Sequence, residues 1–357
     1  MTTLTAPTGP APAAAGSRAG RPRLVRWLLR LHRPALYTWA VLVVVLAAGL
    51  VWLWGPLADA AASAWRQYDA CGMSPRCSYD QDAILRYKDV YNYTTLALNA
   101  LPLLVGAWAG GSLFGRELES GTARLAWAQG VTPTRWLATR LALPAALVAV
   151  GTGLLVLLHN RAWSAARGRV TTAKDWTDTW TLHANGPTTV ALALAALAAG
   201  ALAALLWRRT LPALATGLCV AAGLRGLAGL ALPHMWPAVT RVTTLEEGYG
   251  GGGLPLGSGL VTATGAHIPD PGCYSPDPAV CAGTYAKLHA TGFYTESQPF
   301  SHYWPLQLAT SALVLVLACL LAWAAFTVLR RSTRPTAPAG KGATTGKGAT
   351  TRKEATA

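Results

Sequence analysis

The residues with most chemistry to offer are two closely spaced carboxylates, Glu117 and Glu119, in the run RELESGTARLAWAQGVTPTRWLATRL at 116–141. Such a pair suits ionic contact, either with a partner surface or as staples to Arg116 and Arg124; the alternative is solvated charge at a helix end. No catalytic set accompanies them. The chain has no H-E-x-x-H, no G-x-S-x-G and no phosphate loop, and its seven histidines are scattered. Four cysteines form two local pairs, Cys71 with Cys77 and Cys273 with Cys281. Their C-x5-C and C-x7-C spacings lack the usual zinc pattern, so disulfides are favoured over a metal site, with three connectivities open. Pairing within each loop closes the shorter rings.

Local signals around the carboxylates define how they are held. An uncharged run ends at Phe114 and Gly115, and Arg116 marks its edge. Ser120 and Thr122 are N-cap residues for a short helix from Ala123 to Gln129, because a hydroxyl accepts from amides that the first turn leaves orphaned. Gly130 ends that helix, and Thr132 followed by Pro133 starts the next. The segment is therefore a short capped helix between two long ones.

Composition says what the long ones are. With 52% hydrophobic and 13% charged residues in 357, the chain falls far below the quarter of charged residues usual in soluble domains. Six runs are long enough to cross a ~30 Å hydrocarbon core, near 35–55, 94–114, 137–157, 187–207, 211–232 and 304–329. Trp39, Trp54, Trp136, Trp207 and Trp304 fall near their ends, where amphipathic rings favour the headgroup level. The fold class is an all-α polytopic membrane protein with six transmembrane helices.

The net charge of +15 is accounted for by sidedness rather than by nucleic acid. With the N-terminus inside, the inner segments hold 19 Lys and Arg against 3 acids, and the outer loops hold 10 against 12, with Arg225 left in a span. This asymmetry makes both termini and the 116–141 loop cytoplasmic. Residues 1–21 are expected to be disordered, and 22–34 to form an amphipathic interface helix with Arg23, Arg26, Arg30 and Arg33 on one face. A disordered basic tail at 330–357 carries two GKGATT copies that lack a nucleotide loop's Gly-Lys-Ser/Thr.

Three further features stand outside this scheme. The outer loop at 158–186 holds Trp163, Trp176 and Trp180 and is expected to lie on the outer surface. The loop at 233–303 is long and rich in Gly and Pro, with GYGGGG at 248–253 read as a flexible spacer. Arg225, with Asn99 the main polar candidate for a pathway, is either functional or a snorkelling charge; Gly223, Gly226 and Gly229 beside it suit close helix packing.

The 116–141 segment resembles the first intracellular loop of the type-2 ATP-binding-cassette (ABC) transporter permeases. The resemblance rests on Glu117, Glu119, Gly121, Thr122, Val131, Thr132 and Arg135, and the Leu125-Ala126-Trp127 and Arg135-Trp136-Leu137 steps are similar to a subgroup from high-GC bacteria; Arg140 stands where many members have lysine. It implies a multi-pass permease in the bacterial plasma membrane, paired with a second copy or a second permease, and a separate ABC ATPase that holds ATP and Mg, so that this chain needs no cofactor. It also implies that Arg116, Glu117, Glu119, Gly121, Thr122, Arg124, Leu125, Trp127, Gln129 and Arg135 form the coupling loop. Few polar groups in the spans point to export of a hydrophobic or amphipathic compound. A membrane scaffold or sensor would not need the coupling-like loop. A polytopic enzyme would need more polar residues in its spans than Asn99, Gln307 and Arg225.

Overall fold

The structure, a computed structural model, describes residues 30, 33–72, 77–273 and 278–333. The disordered segment expected at 1–21, nearly all of the interface helix expected at 22–34 and the tail beyond 333 lie outside the described residues. Six helices are long and apolar enough to span a membrane: α1 (Arg33–Ala70), α2 (Gln81–Glu119), α4 (Pro133–Ala166), α6 (Thr188–Trp207), α7 (Thr210–Ala231) and α9 (Tyr303–Ser332). Between them lie the short helices α3 (Thr122–Ala128), α5 (Thr179–Ala184) and α8 (Pro278–Lys287). All six expected spans are present.

The first three spans are longer than the apolar runs. At 1.5 Å per residue, the 38 residues of α1 measure about 57 Å, against a hydrocarbon core of ~30 Å. α1 passes through a π-helical stretch at Leu53–Leu57 that contains Pro56. α2 passes through another at Gly106–Ser112, just after Pro102. The first stretch contains a proline, which removes a helical donor, so the ladder there shifts register instead of breaking; the second begins four residues after Pro102. The outer connections at 56–93 and 158–186 are thus largely helix. α9 likewise carries Arg330 and Arg331 as far as Ser332, so the chain is still helical where the tail was expected to begin.

α6 is the central post. Its sequence TTVALALAALAAGALAALLW is dominated by alanine, and most of its residues are buried, so α2, α4, α7 and α9 can all lie close against it. The closest approach is to α2, where a Cβ on Gly110 would fall 2.5 Å from the Gly200 Cα. Lipid gives helices no hydrophobic reason to associate, so small residues that let backbones touch supply the packing.

The long outer connection is not a spacer throughout. It folds into a four-stranded antiparallel sheet of β1 (Val239–Thr244), β2 (Leu254–Thr262), β3 (His267–Ile268) and β4 (Ala290–Gln298), in the order β1-β4-β2-β3. Leu260, Ala290 and Phe293 form its core, with Tyr285 and Leu288 packed on them. Gln298 ties the sheet to the end of α7, its Nε2 donating to the Pro233 and Trp236 carbonyls at 3.0 and 2.7 Å. Cys71 and Cys77 come within 5.5 Å Cα to Cα, as do Cys273 and Cys281.

Candidate functional site

The 116–141 segment is built as helix, turn, short helix, turn, helix. Its caps differ from expectation at the start. α3 begins at Thr122, and its N-cap is Gly121 in the left-handed region at φ 75°, with no side-chain cap bond. The Ser120 and Thr122 hydroxyls meet each other at 3.0 Å instead, and Thr122 donates back to the Glu117 carbonyl at 3.3 Å. A left-handed turn is open to glycine at little cost, so the turn itself sets the direction of α3 and the hydroxyls brace it. The later signals hold: Gly130 has φ 89°, and Thr132 caps α4 by accepting from the Arg135 amide at 3.4 Å, with Pro133 at N1.

Both carboxylates have partners on other spans, Glu117 largely buried and Glu119 exposed. Glu117 makes a short ion pair with Arg140 of α4, and the two side chains are only 14% and 11% exposed. Glu119 accepts from the Thr210 amide at 3.0 Å and its hydroxyl at 2.6 Å, so it caps α7, where a carboxylate meets the positive end of the helix dipole. The staples expected to Arg116 and Arg124 do not form. α2 stays helical as far as Glu119, which aims one acid at α4 and the other at the start of α7.

α3 is clamped from beneath. Phe114 meets Trp136 edge to face with centroids 6.0 Å apart, and Trp136 meets Trp127 in the same way at 5.8 Å. Ala123, Leu137, Ala204 and Leu329 complete this cluster. Trp136 is 3% exposed, so it serves this aromatic stack and not the headgroup layer. Left facing away from the bundle are Arg116, Arg124, Leu125, Gln129 and Arg135, with Leu125 64% exposed. Of the loop residues singled out in sequence, these five form an outward face, while Glu117, Glu119, Gly121, Thr122 and Trp127 form its mount.

At the other end of the bundle the structure assembles polar residues whose connection is not legible in sequence. The 158–186 loop does not lie wholly on the surface: residues 181–186 are buried, while Thr171, Lys174, Asp175 and Thr179 are exposed. Trp163 and Trp176 are buried, and only Trp180 of the three tryptophans is exposed. α5 and the turn after it are inset between α2, α4 and α9. Tyr91 Oη meets Thr181 Oγ1 at 3.0 Å, Asn99 Nδ2 donates to the Trp180 carbonyl at 3.0 Å, and Gln307 Nε2 donates to the Leu182 carbonyl at 2.5 Å. His159 bridges the set, with Nδ1 on Asn185 Oδ1 at 2.5 Å and Nε2 on Thr95 Oγ1 at 2.8 Å. An amide oxygen can only accept, so Nδ1 carries the proton and Nε2 accepts from the Thr95 hydroxyl. Arg225 and Asn99 are brought together as well: the guanidinium donates to Asn99 Oδ1 at 2.8 Å and lies 6.0 Å from the Trp180 ring. The only sequence signal for this inset was the density of Trp, Thr, His and Asn between 159 and 189.

A family model described as ABC-2 membrane transporter related matches residues 25–232, more than half of the chain. The chain belongs to that family. No curated protein and no solved structure matches it. An ABC-2 membrane protein is the permease component of an ABC transporter, and α2, α3 and α4 of this permease all lie within the matched region. The sheet domain and α9 lie beyond it.

Proposed function

We propose that this permease exports a hydrophobic or amphipathic compound across a bacterial plasma membrane, driven by ATP hydrolysis on a separate ATPase that docks on the outward face of α3. ATP and Mg then belong to that subunit, and this chain carries the pathway. The observation that carries the proposal is the way α3 is mounted. It is rigidly joined to α2 and α4 by the aromatic stack, Gly121 and the Glu117–Arg140 pair, while Arg124, Leu125 and Gln129 face away from the bundle. A partner moving that face would move two spans as one body, which a flexible linker could not do. The glutamates, on this reading, hold the mount and do not touch the ATPase.

Two further features support pairing of permeases and an oxidising outer side. α7 leaves Gly223 and Gly226 with nothing within 4 Å and Leu227 and Leu230 exposed, a close-packing surface that no helix among the described residues covers. A second copy fits there, with Arg225 and Asn99 bordering the pathway between copies. The cysteine pairs fit disulfides within each outer loop, which mass spectrometry under non-reducing conditions would read directly.

The test is co-purification with the cognate ATPase and stimulated hydrolysis in proteoliposomes. Leu125→Glu and the double change Gly121→Val with Thr122→Val should both lose stimulation, the first by spoiling the contact and the second by redirecting α3. Reversing Arg352 and Lys353 in the tail should leave it intact. Equal stimulation by the loop and tail variants would make 116–141 a mere connector.

A further inference from the structure

Beyond the bundle, a polar cavity of about 600 Å³ lies between the 167–176 turn, the start of the sheet and the beginning of α9. Three cations line it: Arg167, Lys174 and Arg241. None has a carboxylate partner among the described residues, whereas the neighbouring Arg169 is paired with Asp59 at 2.6 Å. The one acid in the lining, Asp175, accepts from the Trp176 amide at 2.5 Å. The outer loops as a whole carry 10 basic against 12 acidic residues, so this concentration of positive charge is local and runs against its surroundings.

The cations are held in place. The Arg167 guanidinium lies 4.2 Å from the centroid of Phe300 and 5.3 Å from that of Trp163. Stacking fixes its plane and leaves the guanidinium edge for hydrogen bonds, the geometry in which arginine grips a carboxylate or phosphate. The turn carrying Lys174 is pinned by Trp163, whose indole donates to the Lys174 carbonyl at 2.9 Å. Arg241 comes from β1, and Gly251, Gly252 and Gly253 bring backbone without side chains to the same wall. The glycine run is therefore part of a cavity lining.

We propose that this cavity binds a soluble anion carrying at least two negative charges, such as a dicarboxylate or a phosphate ester. Its height separates it from lipid. Arg167 follows the 34 residues of α4, about 51 Å of helix, and Phe300 precedes Arg330 by about 45 Å. With Pro133 and Arg330 at the inner edge of the hydrocarbon, the two rulers set the cavity about 21 and 15 Å beyond the ~30 Å core, past a headgroup layer of roughly 5–8 Å. The lining from Arg167 to Trp176 lies within the family match and the rest of it beyond; the site is away from α3, so it stands apart from the coupling proposal.

The experiment is calorimetric titration of the full chain in phosphatidylcholine nanodiscs with inorganic pyrophosphate. Saturable binding should appear and weaken about tenfold in Arg167→Gln with Arg241→Gln, a loss typical of removing charge-assisted contacts. Arg241→Gln alone, on an exposed strand, should weaken it by a smaller factor with no change in Tm, so that a binding loss is separable from misfolding. Arg161→Gln, exposed on α4 but outside the lining, should bind like the wild type. Absence of saturable binding, or equal affinity in the double variant, would overturn the proposal. Repeating the titration in phosphatidylglycerol nanodiscs separates the sources: unchanged affinity fits a soluble ligand, whereas competition by the anionic lipid would assign the cavity to a headgroup and refute it.

Discussion

The two ends of the helix bundle are organised by different forces. At the inner end a few charges do the fastening: Glu117 to Arg140 joins α2 to α4, and Glu119 caps α7. At the outer end mostly neutral groups do it, through a network of Tyr91, Thr95, Asn99, His159, Thr181, Asn185 and Gln307 that seats α5 between the spans, with Arg225 adding one charge on Asn99. The contrast teaches that the end carrying α3 is fastened by ion pairing and helix capping. Uncharged hydrogen bonding, which costs far less to bury, is used where the fold must be closed.

The sharpest way to break the comparison is at the outer end. Any side chain at Gly186 would collide with the Gln307 amide, so Gly186→Val should unseat the inset and cost about 3 kcal/mol or more. It should appear as a large fall in detergent Tm, and an unchanged Tm would mean that the inset is not closing the bundle. Next in size is the inner pair. Glu117→Gln removes the carboxylate that faces Arg140 in a largely buried position, at a cost of roughly 3 kcal/mol. Swapping the charges, Glu117→Arg with Arg140→Glu, should recover a good part of the lost Tm; no recovery would mean that Arg140 is held by something other than the pair.

Smaller effects sharpen the picture. Gln307→Leu removes a donor to the Leu182 carbonyl and an acceptor from Thr188, for about 1–3 kcal/mol. Glu119→Ala should lower Tm by less than Glu117→Gln, because its carboxylate sits at an exposed helix end. Least of all for stability, Arg124→Ala and Leu125→Ala should change Tm within about the 0.5 kcal/mol usual for surface positions while reducing ATPase stimulation. A variant that loses stability and stimulation together would erase the distinction between face and mount.

The inner end was the more legible in sequence because its signals are local. The end of α3 at Gly130, the Thr132-Pro133 start and the six apolar runs all act within a few residues of themselves, whereas the left-handed turn at Gly121 stood where hydroxyl caps were expected. The partners of Glu117 and Glu119 were not legible, since they lie 23 and 91 residues away and depend on how α2 packs against α4 and α7. Nor was the inset, because threonine, asparagine and histidine in a loop read as solvated until another helix supplies partners. The sheet escaped notice for a similar reason. β2, with the sequence LPLGSGLVT, alternates weakly and carries a proline and two glycines, so its pairing with β4 is decided by the long-range register. Packing of α6 rests on a match between Gly110 and Gly200 that only the fold brings together.

The central claim is that the outward face of α3, and not the glutamates, meets the ATPase. Site-specific photo-crosslinking tests it most directly, with benzoylphenylalanine placed in turn at 125, 129 and, as an outer-side control, at the exposed Trp304. The account predicts a covalent adduct with the co-expressed ATPase from positions 125 and 129 and none from 304. Absence of an adduct at 125 and 129 in protein that is inserted and folded, with Tm unchanged, would contradict it.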